Sequence, residues 1–142
     1  VKFFLDENLS PLVAKPLAAV YLNHEFGTAQ DEDLTKVKDV ELFTEIRRRG
    51  YEAIITKDRN QHRIEDERRA IFDNGLQWIC HRMGKHAGIR GFALESATIV
   101  AGLQFVIEEL RPEPHLYLVK GIEAQPEQRL KIQRVRLDVW AA

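Results

Sequence analysis

Three aspartates, Asp6, Asp39 and Asp58, stand where a folded chain could bring them together. Asp6 closes the apolar run Lys2-Phe3-Phe4-Leu5, and Asp58 follows the run Tyr51 to Thr56 with only Lys57 between. Asp39 opens a segment with helical spacing. Carboxylates gathered in one pocket repel one another unless a cation neutralises them. Hard oxygen donors suit Mg²⁺ or Mn²⁺, which keep several waters and bind through a few carboxylates plus substrate phosphate. Such an ion activates a water and stabilises the charge that develops on a phosphodiester. Each Asp also has a plainer use: a turn former after a strand for Asp6 and Asp58, a helix cap for Asp39. Only the three together point to a metal. Ser10 is already at hand as a cap, so Glu7 and Asn8 exceed what capping needs.

The elements that must position these acids follow from periodicity. Lys2 to Asp6 reads as a buried strand, and Ser10-Pro11 as a helix start whose apolar face carries Leu12, Val13, Leu17, Val20 and Tyr21. Pro16 inside that span predicts a kink or a shortened helix. His24 to Ala29 reads as a second strand and Gln30 to Lys38 as a loop. Asp39 opens a helix with Val40, Phe43 and Ile46 inward, ended by Gly50. Tyr51 to Thr56 is a buried strand, Lys57 to Arg63 a polar turn, and Ile64 to Asp73 a charged helix stopped by Asn74-Gly75. Leu76 to His81 is the next strand, Gly84 to Gly91 a basic loop and Phe92 to Leu110 the longest helix. His115 to Lys120 and Leu130 to Leu137 are expected as a C-terminal strand pair. Alternation of strand and helix predicts an α/β fold with a mainly parallel sheet covered on both faces, in one domain spanning 1–142. Ligands bind such sheets beyond the carboxyl ends of the strands, where Asp6 and Asp58 stand.

Net charge is −1, yet residues 47–90 hold eleven Lys/Arg against six Asp/Glu while the flanks hold ten against sixteen. Arg47, Arg48, Arg49, Lys57, Arg59, Arg63, Arg68 and Arg69 belong to that basic middle. The clustering fits a phosphate footprint and equally fits solvated helix faces. The lone Cys80 excludes an internal disulfide and a thiolate metal cluster, and a reducing cytoplasm is the expected setting. No export signal and no bilayer-spanning run are read, the run Ala97 to Ile107 being broken by Gln104. His24, His62, His81, His86 and His115 lack metal-ligand spacing, and no phosphate-cradling glycine loop or Ser/His/Asp arrangement is present. His81 and His86 flank the basic loop, where solvated side chains are expected.

The residues Lys2-Phe3-Phe4-Leu5-Asp6-Glu7-Asn8-Leu9-Ser10-Pro11 resemble the opening of PIN-like domains, within the group placed with VapC-like toxins. Asp39-Val40-Glu41-Leu42 and Ile54-Ile55-Thr56-Lys57-Asp58-Arg59-Asn60 continue the resemblance in the same order. So do Glu67-Arg68-Arg69-Ala70 to Asn74-Gly75-Leu76 and the basic segment Leu130 to Arg136. The resemblance implies a three-layer α/β/α domain acting as a Mg²⁺- or Mn²⁺-dependent endoribonuclease. Asp6, Asp39 and Asp58 match the metal-binding acids of that family. A fourth acidic position is occupied here by Asn60, which can hydrogen-bond a metal-bound water but adds no charge. The resemblance also implies a toxin–antitoxin setting, with a small antitoxin covering the site.

On this reading Asp6 and Asp58 hold the metal directly, Asp39 completes its shell or orients water, and Asn60 assists. Arg59, Arg63 and Asn8 are the candidates to contact the RNA substrate. Phe92 to Leu110 is core with a candidate homodimer face, and no membrane partner is expected. Two other classes stay open: a PIN-like module that binds RNA or protein without cutting, and a phospho-accepting receiver domain. The receiver needs its acceptor at the end of the central strand, where Asp58 is the candidate, but Thr56 and Lys57 then fall in the wrong order and strand.

Overall fold

In the computed structural model, residues 1–57, 64–82, 88–122 and 125–137 are described. Among them five strands form one sheet: β1 (Lys2–Leu5), β2 (Glu25–Thr28), β3 (Ala53–Lys57), β4 (Gln77–Arg82) and β5 (Leu116–Lys120). Every pairing is parallel, in the order β2-β1-β3-β4-β5. The helices are α1 (Ala14–Val20), α2 (Asp39–Arg48), α3 (Glu65–Asp73), α4 (Gly88–Glu108) and the short α5 (Pro126–Arg129).

Side chains alternate across a strand, and the strand sequences use this to build two separate apolar layers. Phe4, Ile54, Trp78 and Cys80 face one side, where Leu42, Phe43 and Ile46 of α2 and Ala70 and Ile71 of α3 cover them. Phe3, Leu5, Ala53, Ile55 and Ile79 face the other, against Leu17 of α1 and Ile99, Leu103 and Val106 of α4. The expected three-layer α/β/α arrangement is thus present. Each such buried aliphatic or aromatic side chain contributes roughly 1.5–3 kcal/mol, so the two layers are the main source of cohesion.

Local signals set the element ends. The hydroxyl oxygen of Ser10 accepts from Leu12 N–H, starting the 3-10 turn Pro11–Val13 that leads into α1. Pro16 falls in the first turn of α1, where its missing N–H removes no helical bond, so no kink is needed. Gly50 (φ 92°) and Gly75 (φ 66°) stop α2 and α3 at the predicted places.

Four expectations are corrected. Val40 is 48% exposed and Leu42 takes its place inward, because Asp39, Leu42, Phe43 and Ile46 form the 3.6-residue stripe. The C-terminal strand pair does not form: β5 joins β4 in parallel, and the described residues 130–137 contain no strand and are exposed. Helix α4 starts at Gly88, inside the segment expected to be a loop. It is also long and apolar enough, by length and composition, to cross a membrane, although its apolar side lies on the sheet.

Candidate active site at the carboxyl edge of the sheet

The chain leaves β1 outward to β2, then crosses back to β3, so the direction of winding reverses between β1 and β3. At such a switch point the loops part and leave a crevice beyond the strand ends. Asp6 directly follows β1 there. It is 9% exposed, and its N–H donates to Ile55 O (3.0 Å), continuing the β1–β3 ladder by one residue. Alternation turns its side chain to the α2/α3 side, as it does Thr56 on β3.

Thr56 and Asn8 fix this carboxylate. The Thr56 hydroxyl donates to Asp6 Oδ2 (3.0 Å) and accepts from Asn8 Nδ2 (2.9 Å). Asn8 Oδ1 in turn accepts from Lys57 N–H (3.3 Å), and Asp6 Oδ1 accepts from Glu7 N–H (2.8 Å). Burial raises the Asp6 pKa; the bonds from Thr56 and Glu7 pull against that, while the charges of Asp39 and Glu7 add to it. Asn8, expected at the substrate, has both ends of its amide engaged in tying the β1 loop to β3.

Asp39 is the first residue of α2 and half-buried. Its place on the inward stripe with Leu42, Phe43 and Ile46 aims it over the sheet edge. The preceding loop is pinned by Leu34, which is buried, and by Glu7, whose carboxylate accepts from Lys36 N–H at 3.1 Å. Parallel strands and their helices run in opposite directions, so the N-terminus of α3 reaches the same edge. Glu67, in the first turn of α3, joins Asp39 there through a side-chain hydrogen bond. Burial, that bond, and the charges of Asp39 and Asp6 push the Glu67 pKa up to about 7. Asp39, Glu67 and Asp66 line an open hollow with Lys38, Val40 and Ile64.

The structure therefore brings Asp6 and Asp39 together electrostatically and adds Glu67, which sequence reasoning missed. Asp58, Arg59, Asn60 and Arg63 lie outside the described residues. Among the described residues no three His, Cys, Asp or Glu groups stand close enough to hold one ion. Two features nonetheless fit a hard cation. The donors are carboxylate oxygens, with burial first and then Asp39 and Asp6 pushing the Glu67 pKa up to about 7, and among the described residues Glu67 Oε2 is buried without a hydrogen-bond partner.

The basic middle of the sequence divides. Arg47, Arg48 and Arg49 sit at the far end of the ten-residue α2, on the order of 15 Å from Asp39 along the axis. Arg48 and Arg49 pair with Glu45 (2.5 and 2.8 Å), Arg49 also with Glu32 (2.9 Å), and Arg47 donates to Tyr51 O (3.2 Å). They are not part of a phosphate footprint at this edge. Arg68 and Arg69 are exposed on α3 and line a hollow with Trp78, His115 and Leu116, separate from the one that Asp39 and Glu67 line. His81, expected in solvent, is buried on β4 and faces Glu95 of α4.

No curated protein and no solved structure matches this chain. A family model described as PIN like domain matches residues 1–82, more than half of the 142. The match runs from β1 to the end of β4, so it contains Asp6, Asp39, Asp58 and Glu67. With the parallel sheet and the acidic edge at its switch point, this shows that the chain belongs to the PIN-like domain family.

Proposed function

We propose that the protein is a Mg²⁺- or Mn²⁺-dependent endoribonuclease, its site formed by Asp6, Asp39, Asp58 and Glu67. PIN-like domains are in general nucleases, and the observation that carries the proposal here is the placement of Asp6 after β1, Asp39 at the start of α2 and Glu67 in the first turn of α3 along one edge of the sheet. A divalent ion, when bound, supplies water activation and stabilises charge on the phosphodiester.

The chain's own residues do the rest. Asp6 and Asp58 are the direct ligands, Asp6 held in one orientation by Thr56 and Glu7 N–H. Asp39 and Glu67 share a hydrogen bond and complete the shell or hold the attacking water. Asn60 bonds a water without adding charge. Arg59 and Arg63 take the RNA phosphates, and the N-termini of α2 and α3 favour negative charge at the same edge. Asn8 acts behind them, as the brace between β1 and β3.

The finer part of the proposal is a cytoplasmic toxin whose antitoxin covers the acidic edge, with a homodimer as the working form. The toxin and antitoxin rest on the sequence resemblance, the cytoplasmic setting on the lone Cys80, and the homodimer on the apolar stripe of Phe92 to Leu110. The test is cleavage of a pool of labelled RNAs with Mn²⁺, with Mg²⁺ and with chelator. Metal-dependent cleavage that disappears in Asp58→Asn, together with growth arrest on induction that also disappears, is the expected result. Well-folded protein that cuts nothing with either metal would instead be a PIN-like binding module. The receiver reading gains nothing from the structure, since Thr56 and Lys57 both lie on β3 itself, the strand that leads to Asp58.

A further inference from the structure

A second cluster of ionisable groups lies on the opposite face of the sheet, behind the acidic edge. Lys57 and His81 are register partners at the ends of β3 and β4. Alternation from Ala53, Ile55 and Ile79 turns both toward α4. There they meet Glu95, which is 4% exposed beside the apolar layer. Glu95 Oε2 lies 3.3 Å from Lys57 Nζ and 3.6 Å from His81 Nε2. Its other oxygen, Oε1, accepts from Ser10 N–H at 3.2 Å.

One buried carboxylate therefore touches the end of the β1 loop, the end of β3 and the end of β4. The first of these segments carries Asp6 and Asn8, and the second leads directly into Asp58. Burying the Glu95 carboxylate is a poor way to gain stability, because its desolvation offsets the attraction to Lys57 and a well-packed apolar side chain does as well. What an apolar residue could not supply is direction: a hydrogen bond from the β1 loop, an ion pair with the end of β3 and a close approach to His81 on β4. Glu95 also lies beyond the residues that match the family model, which end at Arg82.

We propose that Glu95 is a positioning residue for the metal site, holding the Asp6 loop and the β3 end at a fixed separation from behind the sheet. The inference rests on the reading of Asp6 and Asp58 as metal ligands. Glu95 reaches Asp6 through Ser10 and the loop, and reaches Asp58 through Lys57. Lys57 is held to the α4 face by the pairing and so does not neutralise the acids on the other face.

The test is Mn²⁺ affinity of the full chain by calorimetry, for wild type, Glu95→Gln, Lys57→Met and the double variant. Each single change is expected to weaken Mn²⁺ binding about tenfold, and the double change no more than the worse single, as for two residues acting through one contact. At saturating RNA and Mn²⁺, kcat falls while KM for RNA stays within about twofold, because substrate phosphate contacts are untouched. Wild-type affinity in both single variants, or losses that simply add, would overturn the inference while leaving the site reading intact. Wild-type protein that binds no Mn²⁺ would overturn the site reading first. Should Glu95→Gln fail to fold, Lys57→Met alone decides, since the Lys57 side chain is 39% exposed and its loss leaves no cavity in the core.

Discussion

Glu67 keeps its proton up to about pH 7 because burial, Asp39 and Asp6 all disfavour another negative charge. Its folded value lies above the ordinary 4.5, so the metal-free fold binds this proton more tightly than the unfolded chain does. By linkage, that contribution to stability is fully present below about pH 4.5 and is lost as pH rises through about 7. Thermal melts in chelator should therefore show wild type losing stability relative to Glu67→Gln between those values. A pH-independent difference between the two proteins would contradict the assignment. Glu67 was hidden in the sequence because Glu65-Asp66-Glu67 are three acids in a row. Only the rotation of α3, set by burial of Ala70 and Ile71 three and four residues on, selects the third to face Asp39. Asp6, by contrast, was legible from its place after an apolar strand. The bracing role of Asn8 and Thr56 was not, since it needs the register that sets β1 beside β3.

At the scale of elements, caps and strand cores were readable because their causes are local: Ser10 before Pro11, Gly50 and Gly75 at positive φ, and the run Ala53-Ile54-Ile55. Non-local choices were not readable. Whether β5 pairs with 130–137 or with β4 depends on which edge the chain returns to, and alternation in Leu130 to Leu137 is the same in either case. The arginines of α2 misled for a similar reason, since a helix carries its two ends to opposite edges of the sheet. Close packing between elements also fixes Gly27. A Cβ there would stand 1.7 Å from Tyr51 Oη, so β2 can pass under the Tyr51 ring only without a side chain. Tyr51 is 1% exposed and packs edge-on against Phe4, which limits its retreat. Gly27→Ala should cost about 1–3 kcal/mol in denaturant unfolding. A change below about 0.5 kcal/mol would mean that the ring moves freely.

For the whole molecule, two apolar layers made by period-two strands hold a parallel sheet whose winding reverses between β1 and β3. That reversal, together with the helix N-termini that parallel topology delivers to the same edge, gathers Asp6, Asp39 and Glu67 from segments far apart in sequence. The charges that repel there are the reason to expect a cation. The most direct check is Mn²⁺ titration of purified, chelator-treated protein by calorimetry, run beside Asp6→Asn. Saturable binding in wild type that is lost or weakened at least tenfold in a folded Asp6→Asn protein is the predicted result, since the proposal makes this aspartate a direct ligand. Equal binding in the two proteins, or none in wild type, would contradict the acidic edge as a metal site.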